Sequence, residues 1–366
     1  MLMPSENVSL LIGGHSHSNW ESYRIDSDLL IPADDWQVSL GINRQPIPTS
    51  VYEGAPVIVK IGNDTVLSGL IDDIEEPISK GEHSLNLSGR DYASVLVDCS
   101  APIFVSRQVN LAEVVNKLVK PLGINKVRID GKGAFEKVNV EPGETAWDVL
   151  SHAAEANGLW PWFDPDGTLV IGGADYSSPV VADIIMTRSG KGNNAKSLTR
   201  KRSIANRFSE ITVLGQSHGT EVSDGNNAIL GKATDASLKV YRPRIIIDSE
   251  SDSQKLALQR ARKLLADGRL ESYTLTAVVR GHRITAGGML WTPGQRIRVK
   301  SEPHGIDDIF FLTGRSFSRN RTNGTTTELR LKEDGVWTLD AHPHKKKHKK
   351  AKTADGKTLE IVDVTQ

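Results

Sequence analysis

One pattern of strands and turns occurs twice in this chain, and it limits the folds available more than anything else in the sequence. Residues 54–91 read GAPVIVKIGNDTVLSGLIDDIEEPISKGEHSLNLSGRD, and residues 294–334 read GQRIRVKSEPHGIDDIFFLTGRSFSRNRTNGTTTELRLKED. Each copy opens on a glycine and an alternating apolar run, Val57, Val59 and Ile61 in the first and Ile297 and Val299 in the second. Leu-x-Gly follows (Leu67 and Gly69; Leu312 and Gly314), then a turn around Gly81 or Gly324, then alternating leucines (Leu85 and Leu87; Leu329 and Leu331). Period-two alternation marks strands with one buried face, and the Gly/Asn/Asp clusters supply turn geometry, so each copy reads as a three-stranded antiparallel meander. Two related β-domains are expected; the competing reading is ordinary strand-turn periodicity.

The 366 residues suffice for two to four domains with cores of their own. No apolar run approaches the roughly 18 residues of a membrane helix, and MLMPSENVSLLIGG lacks the basic start and long apolar stretch of a signal peptide, so cytoplasmic synthesis is expected. Cys99 is the only cysteine, which excludes an intrachain disulfide; in SVLVDCS it reads as a small hydrophobe rather than a nucleophile. The net charge of zero hides a split. The segment 342–366 holds seven of the 45 Lys+Arg and three of the 45 Asp+Glu, leaving a body with 38 against 42. A mildly acidic body does not favour a domain built to grip nucleic acid.

Residues 5–50 read as two or three strands leading into the first meander. GRDYASVLVDCS is a strand exit into a helical turn, with Asp91 placed to accept from backbone N–H groups and Arg90–Asp91 as a surface pair. NLAEVVNKLVKPLG puts Leu111, Val114, Val115, Leu118 and Val119 on one helical face behind an Asn110 cap. KVRID is a short strand. PGETAWDVLSHAAEANG is a second helix, capped at Thr145, with Trp147, Leu150, Ala153 and Ala154 inward and a left-handed stop at Asn157-Gly158. LWPWFDPDGTLVIGG is a hairpin turning at Asp164 to Gly167. Strand signals return in 184–219 around KGNNAKSLTRKRS, read as an exposed, mobile basic loop, and 220–240 reads as a linker. SESDSQKLALQRARKLLADG is a helix stopping at Gly268, with Leu256, Leu258, Ala261, Leu264 and Leu265 inside; strand LESYTLTAVVRG follows.

No nucleophile elbow, P-loop, H-E-x-x-H or dinucleotide fingerprint is present, so no enzyme, cofactor or metal site is expected. His342, His344 and His348 offer at most weak divalent binding. Lys345, Lys346, Lys347, Lys349, Lys350 and Lys352 form a basic tail able to meet DNA phosphate or another anionic partner, against the plainer reading of a solvated linker. VEPGETAWDVLSHAAEANGL resembles the first half of a LysM peptidoglycan-binding module, but WPWFDPDGTLVI stands where such modules place a second helix.

Together GRDYASVLVD, ETAWDVLSHAAEANGLWPWFDPDGTLVI, QKLALQRARKLLADG and WTPGQRIRVKSEPHGIDDIFFLTG with NGTTTELRL resemble, in order and spacing over residues 5–335, the baseplate hub proteins of contractile phage tails, those of Mu-like phages above all. The resemblance implies a trimeric ring joining tail tube to membrane-piercing spike, with relatives in the T-even hub and the N-terminal part of type VI secretion spike proteins. Its motif residues here are Gly89, Arg90, Asp91, Trp147, Gly158, Gly167, Gly294 and Gly314. The expected class is α+β, mainly β, with two antiparallel β-barrel-like domains, the first from 1–100 plus 184–219 and the second from 220–341 with a helix over 251–267. An αβ domain over 101–183 is inserted, and the basic tail covers 342–366. Expected partners are the chain itself as homotrimer, the central spike, the tail tube and baseplate wedge components, with DNA only as passing cargo and no stable membrane association. Two alternatives stay open: a LysM-type wall-binding protein and a nucleic-acid-binding protein acting through the lysine tail.

Overall fold

The computed structural model describes residues 7–41, 47–103, 105–130, 136–140, 142–156, 159–215, 229–248, 251, 253–336, 351–352 and 358–359. Four strands lead into the first meander: β1 (Val8–Ile12), β2 (His15–His17), β3 (Ser22–Asp28) and β4 (Asp35–Gly41). The meander is β5 (Pro56–Ile61), β6 (Asp64–Glu75), the short β7 (Ile78–Ser79) and β8 (Glu82–Asp91). Val57, Val59 and Ile61 are buried, as their alternation requires.

An αβ unit follows. It holds α1 (Ala93–Asp98), β9 (Val105–Val109), α2 (Leu111–Leu118), a 3-10 turn (Lys120–Leu122), β10 (Val127–Ile129) and β11 (Glu136–Asn139), then α3 (Ala146–Ala156), β12 (Trp160–Phe163) and β13 (Leu169–Gly172). Its core of Leu111, Val114, Val115, Leu118, Trp147, Leu150 and Ala154 is the set that the helical period selects. Asn110 caps α2 in a reciprocal box with Glu113. Thr145 Oγ1 accepts from Asp148 N–H (3.1 Å) and donates to the Asp148 carboxylate (2.7 Å) at the start of α3.

The chain then gives β14 (Val180–Met186) and β15 (Ala195–Arg202). A small three-stranded sheet of β16 (Glu210–Gly215), β17 (Ile229–Thr234) and β18 (Pro243–Ile247) packs on α4 (Gln254–Ser272) through Ile211, Val213, Ile229, Ala257 and Ala261. Finally come β19 (Tyr273–Arg280) and the second meander, β20 (Arg296–Ser301), β21 (Ile306–Asn320) and β22 (Gly324–Glu333).

The two meanders belong to one fourteen-stranded sheet, in the order β15-β19-β22-β21-β3-β4-β8-β6-β5-β1-β2, with β14 pairing β20 and β20 pairing β21. The first unit is thus β1-β5-β6-β8-β4-β3 and the second β14-β20-β21-β22-β19-β15, the same spatial order. The likeness extends to single hydrogen bonds. Gly54 N–H donates to Ile71 O (2.8 Å) as Gly294 N–H does to Leu312 O (2.8 Å), and both glycines have positive φ. The bulge between Ile71 and Asp73 against β8 matches the bulge between Leu312 and Gly314 against β22. The outer strand is where they part, since β1 runs antiparallel to β5 whereas β14 runs parallel to β20.

Several expectations are corrected. The units are not barrels: β3 pairs with β21 of the other unit instead of closing on its own edge, and one core containing Ile25, Trp36, Leu275 and Phe317 runs through both. Segment 184–219 does not complete the first unit, because β14 and β15 pair with β20 and β19, and β16 with β17 and β18. The matched residues also shift. Ile71 answers to Leu312, Leu87 to Leu329 and Gly89 to Leu331, so the Leu-x-Gly pairing of Leu67 with Leu312 is out of register. The basic loop is largely strand β15, and the linker holds β17. Helix α4 passes through Gly268 to Ser272, with the glycine buried where a Cβ would meet the Asn206 carbonyl; Leu256 is exposed and Gln259 buried.

Candidate assembly surfaces

Where the two units meet, β3 lies antiparallel to the far half of β21, with Asp28 opposite Gly314 and Ile25 opposite Phe317. Arg330 on β22 reaches across the seam. Its Nε donates to Asp28 Oδ2 (2.8 Å), and its two terminal nitrogens grip the Asp26 carboxylate at 3.0 and 2.8 Å. Burial works against the Arg330 charge, but the hydrogen bonds and charges of Asp26 and Asp28 outweigh it and hold its pKa above the ordinary guanidinium value. Burial pushes the Asp28 carboxyl up, with Arg330 opposing. Gly314 makes this bridge possible, because a Cβ there would collide with the Asp28 carboxylate and the Arg330 guanidinium. A second tie joins the units through buried His282, whose Nε2 bonds Tyr23 Oη (2.8 Å) and whose Nδ1 bonds Thr327 Oγ1 (3.1 Å). Burial, with Arg315 and Arg283 nearby, brings its pKa down to about 3, so the ring is neutral.

Beneath the seam lies a cavity of about 70 Å³ lined by Ser68, Asp34, Asp91, Trp162, Arg315 and Phe317 among others. The Arg315 guanidinium is buried, donates to the carbonyls of Ile25 (3.0 Å) and Val66 (3.3 Å), and lies 4.0 Å over the Phe317 ring. Burial lowers its pKa to about 10. Burial also raises Asp34 to about 7, and burial together with the Asp34 charge holds Asp91 well above its usual range. Two neighbouring enclosed carboxyls cannot both ionise cheaply.

Three exposed surfaces remain. The small sheet turns Leu214, Leu230, Ile245 and Ile247 outward, opposite its helix-covered face. At the first unit, β6 outruns β5: β5 stops opposite Leu70, and Asp72, Asp73, Glu75 and Glu76 continue beyond it toward Ile78, which is 73 % exposed. At the second, β15 ends the sheet with Lys196, Lys201 and Arg202 exposed. None of Lys201, Arg202, Asp73 or Glu75 has an ion-pair partner among the described residues.

The motif residues are spread over the fold rather than gathered in one site. Gly89 faces Trp36, where a Cβ would run into the Leu70 carbonyl and the indole. Arg90 and Asp91 are not the surface pair expected, because alternation sends them to opposite faces: Arg90 binds Asp72 (2.6 Å) and, through two nitrogens, Asp98, while Asp91 is buried. Asp91 does accept from Ala93 N–H (2.9 Å), two residues on. Trp147 is buried in the second core. Gly167 turns the β12–β13 hairpin, which is tied to the first unit by Ser68 Oγ donating to Pro165 O (2.7 Å). Gly158, Lys345, Lys346, Lys347, Lys349 and Lys350 lie outside the described residues, as do the tail histidines; Lys352 falls on a two-residue strand, Ala351–Lys352. Sequence reasoning missed Arg330, Asp26, Asp28 and Arg315, since buried ions of this kind look like any polar alternation until their strands are paired. Among the described residues no three His, Cys, Asp or Glu side chains gather as a metal site, and no helix is long and apolar enough to cross a membrane.

The wall-binding alternative fails at α3, which leads into the β12–β13 hairpin and not into a second helix, with Trp147 already committed to the core. Family models match in chain order: Mu phage baseplate assembly protein GpP-like, N-terminal (residues 7–91), and baseplate hub protein gp44-like, second domain (93–173). Tail protein NMB1110-like, third domain (207–265), and tail protein, C-terminal domain (267–336), follow. The baseplate hub protein gp44 of Escherichia phage Mu is 25 % identical over 345 residues, 89 % of this chain and 88 % of that protein. The crystal structure of a prophage MuSo2 43 kDa tail protein from Shewanella oneidensis shares the fold, with TM-score 0.80 at 24 % identity over 92 % of this chain and 100 % of that one. A tail protein from Neisseria meningitidis MC58 superposes with TM-score 0.82 at 42 % identity, over 92 % of this chain and 99 % of that chain. The chain belongs to the Mu-like family of phage tail proteins that form the baseplate hub.

Proposed function

We propose that three copies of this hub protein close into a ring that joins the tail tube to the central spike and nucleates tube polymerisation. The observation that carries this reading is the same six-strand arrangement occurring twice in one chain, with matching glycine hydrogen bonds and matching bulges. Three chains then supply six similar units around an axis. Such a ring offers quasi-six-fold symmetry to a tube and three-fold symmetry to a spike, through heterologous contacts that close. The role is mechanical rather than catalytic, with the spike, the tube and baseplate wedge components as partners and DNA only passing through. The motif residues act structurally in it, holding the turns and the seam. Assembly takes place in the host cytoplasm before incorporation in the virion, and the basic tail is dispensable for the ring. Absolute mass by light scattering tests the reading: a stable mass of three chains, with a ring seen by electron microscopy and retained after removal of residues 342–366, supports it. A monomer at every concentration overturns it.

A further inference from the structure

The internal likeness of the two units leaves one seam made and another open. Within the chain, β21 outruns β20, and the part beyond its bulge is covered by β3 of the first unit. In the first unit, β6 outruns β5 in the same way, beyond the equivalent bulge, and no strand among the described residues covers the extension. On that side of residues 72–76 no backbone partner is present among the described residues. The extension continues as a strand, since Glu75 pairs with Asn86 and Ile78 with His83 in one unbroken register along β8. The second unit in turn has a strand in the position of β3. That strand is β15, which pairs with β19 as β3 pairs with β4 and has no strand paired on its other edge among the described residues.

We infer that β15 of one copy pairs antiparallel with the β6 extension of the next copy, repeating between chains the β3–β21 seam made within one. The inference rests on the ring reading above and specifies its closing contact.

The register follows from the ladders. Leu312 corresponds to Ile71, so Arg315, Ser316, Phe317 and Arg319 correspond to Ile74, Glu75, Glu76 and Ile78. Through the β4 and β19 pairings, Tyr23, Ile25, Asp26 and Ser27 correspond to Leu198, Arg200, Lys201 and Arg202. Because Asp26 faces Ser316 and Ile25 faces Phe317 within the chain, Glu75 faces Lys201 of the neighbouring copy and Glu76 faces Arg200. Ile78, exposed in the single chain, falls opposite Leu198.

Charge agrees independently with this register. Residues 187–202 hold Arg188, Lys191, Lys196, Arg200, Lys201 and Arg202 and no carboxylate, whereas the facing extension presents Asp72, Asp73, Glu75 and Glu76. Opposite charges directly across a strand pair stabilise it, and like charges disfavour self-pairing of either edge. Pro77 does not block the pairing. Its carbonyl accepts from Ser84 N–H (3.2 Å), so its nitrogen also faces β8, and the groups of Ile74, Glu76 and Ile78 face outward. Glu75 and Lys201 then form a non-hydrogen-bonded pair, with Cα atoms about 4.5 Å apart, within the range a disulfide spans.

The test uses the full chain with Cys99→Ser, adding Glu75→Cys and Lys201→Cys. Mild oxidation is expected to give reducible dimers and trimers on a denaturing gel, and neither single cysteine variant should give the trimer. Separately, Asp73→Lys with Glu75→Lys, or Lys201→Glu with Arg202→Glu, is expected to raise the trimer dissociation constant roughly tenfold or more, and both reversals in one chain restore it. These are exposed side chains, and unchanged circular dichroism and melting of each variant separate lost association from lost fold. A wild-type trimer that forms no crosslink and tolerates either reversal overturns this contact while leaving the ring standing. A wild-type monomer overturns both.

Discussion

The two six-strand units reach the same fold by different packing, and the clearest instance lies at one equivalent position. In the first unit Gly89 faces Trp36 across the β4–β8 ladder; in the second, Leu331 faces Leu275 across β19–β22. Both pairs fill the core, one with a large ring over a glycine and the other with two branched side chains of intermediate size. Core volume, not residue identity, is what the two copies share. The units differ more at their borders. Where they meet inside the chain, the first unit supplies Asp26 and Asp28 and the second supplies Arg330. At their outer edges the signs are the same, acidic on the β6 extension and basic on β15, although no charged residue recurs at an equivalent position of the two borders.

The largest effect is expected from breaking the made seam. Arg330→Ala leaves Asp28 enclosed without its cation and Asp26 with only Arg24, at 3.3 Å, and should cost about 3–5 kcal/mol, seen as a lowered midpoint in chemical denaturation. An unchanged midpoint would mean that the shared core, the β3–β21 ladder and the His282 tie hold the units together without this bridge.

The packing comparison is sharpened by a double-mutant cycle. Gly89→Leu alone should destabilise by about 3 kcal/mol, since its Cβ meets the Leu70 carbonyl and its side chain enters the space of Trp36, and Trp36→Leu alone should cost a similar amount by leaving a void. The double variant, which copies the Leu331–Leu275 pair, removes the Trp36 part of the clash and keeps the Leu70 carbonyl part, so it should stay less stable than wild type yet be more stable than the sum of the singles predicts by roughly 1 kcal/mol. Strict additivity would show that the two sites are not interchangeable solutions to one volume.

The smallest effect concerns the cavity under the seam. Asp34 is raised to about 7 in the folded chain against 3.8 for the free group. The native state therefore holds a proton that the unfolded state has lost between those values, and stability from this group falls as pH rises from about 4 to about 7. Relative to wild type, Asp34→Asn should remove a decline of roughly 1–3 kcal/mol over that window, measured by denaturation at several pH values. Parallel pH profiles for the two proteins would show that Asp34 is ionised in the fold.

Much of this architecture is legible in the residues because the signals are local. Alternation in PVIVKI and RIRVK, the helical stripe from Leu111 to Val119, the Asn110 cap and the Asp164–Gly167 turn each depend on neighbours within a few positions. A Leu-x-Gly match puts the repeat four residues out of register at Leu67 because it weighs side chains alone, whereas Gly54 and Gly294 identify their partners by backbone hydrogen bonds. KSLTRKR reads as a loop for a related reason. As an edge strand it carries few buried residues, and so its alternation is faint.

By itself the sequence determined that the chain is mainly β, that its β pattern is duplicated, that an αβ unit intervenes, and that its motifs are those of a phage baseplate hub, because strand period, helix period and turn chemistry are written in adjacent residues. Only the tertiary structure decided that the two units share one open sheet, that β14 and β15 complete the second unit, and that Asp26, Asp28 and Arg330 meet. Such pairings join residues from about 70 to about 300 positions apart. Local preference is silent on which strand edges meet, and the choice falls to the burial and charge balance of the whole sheet.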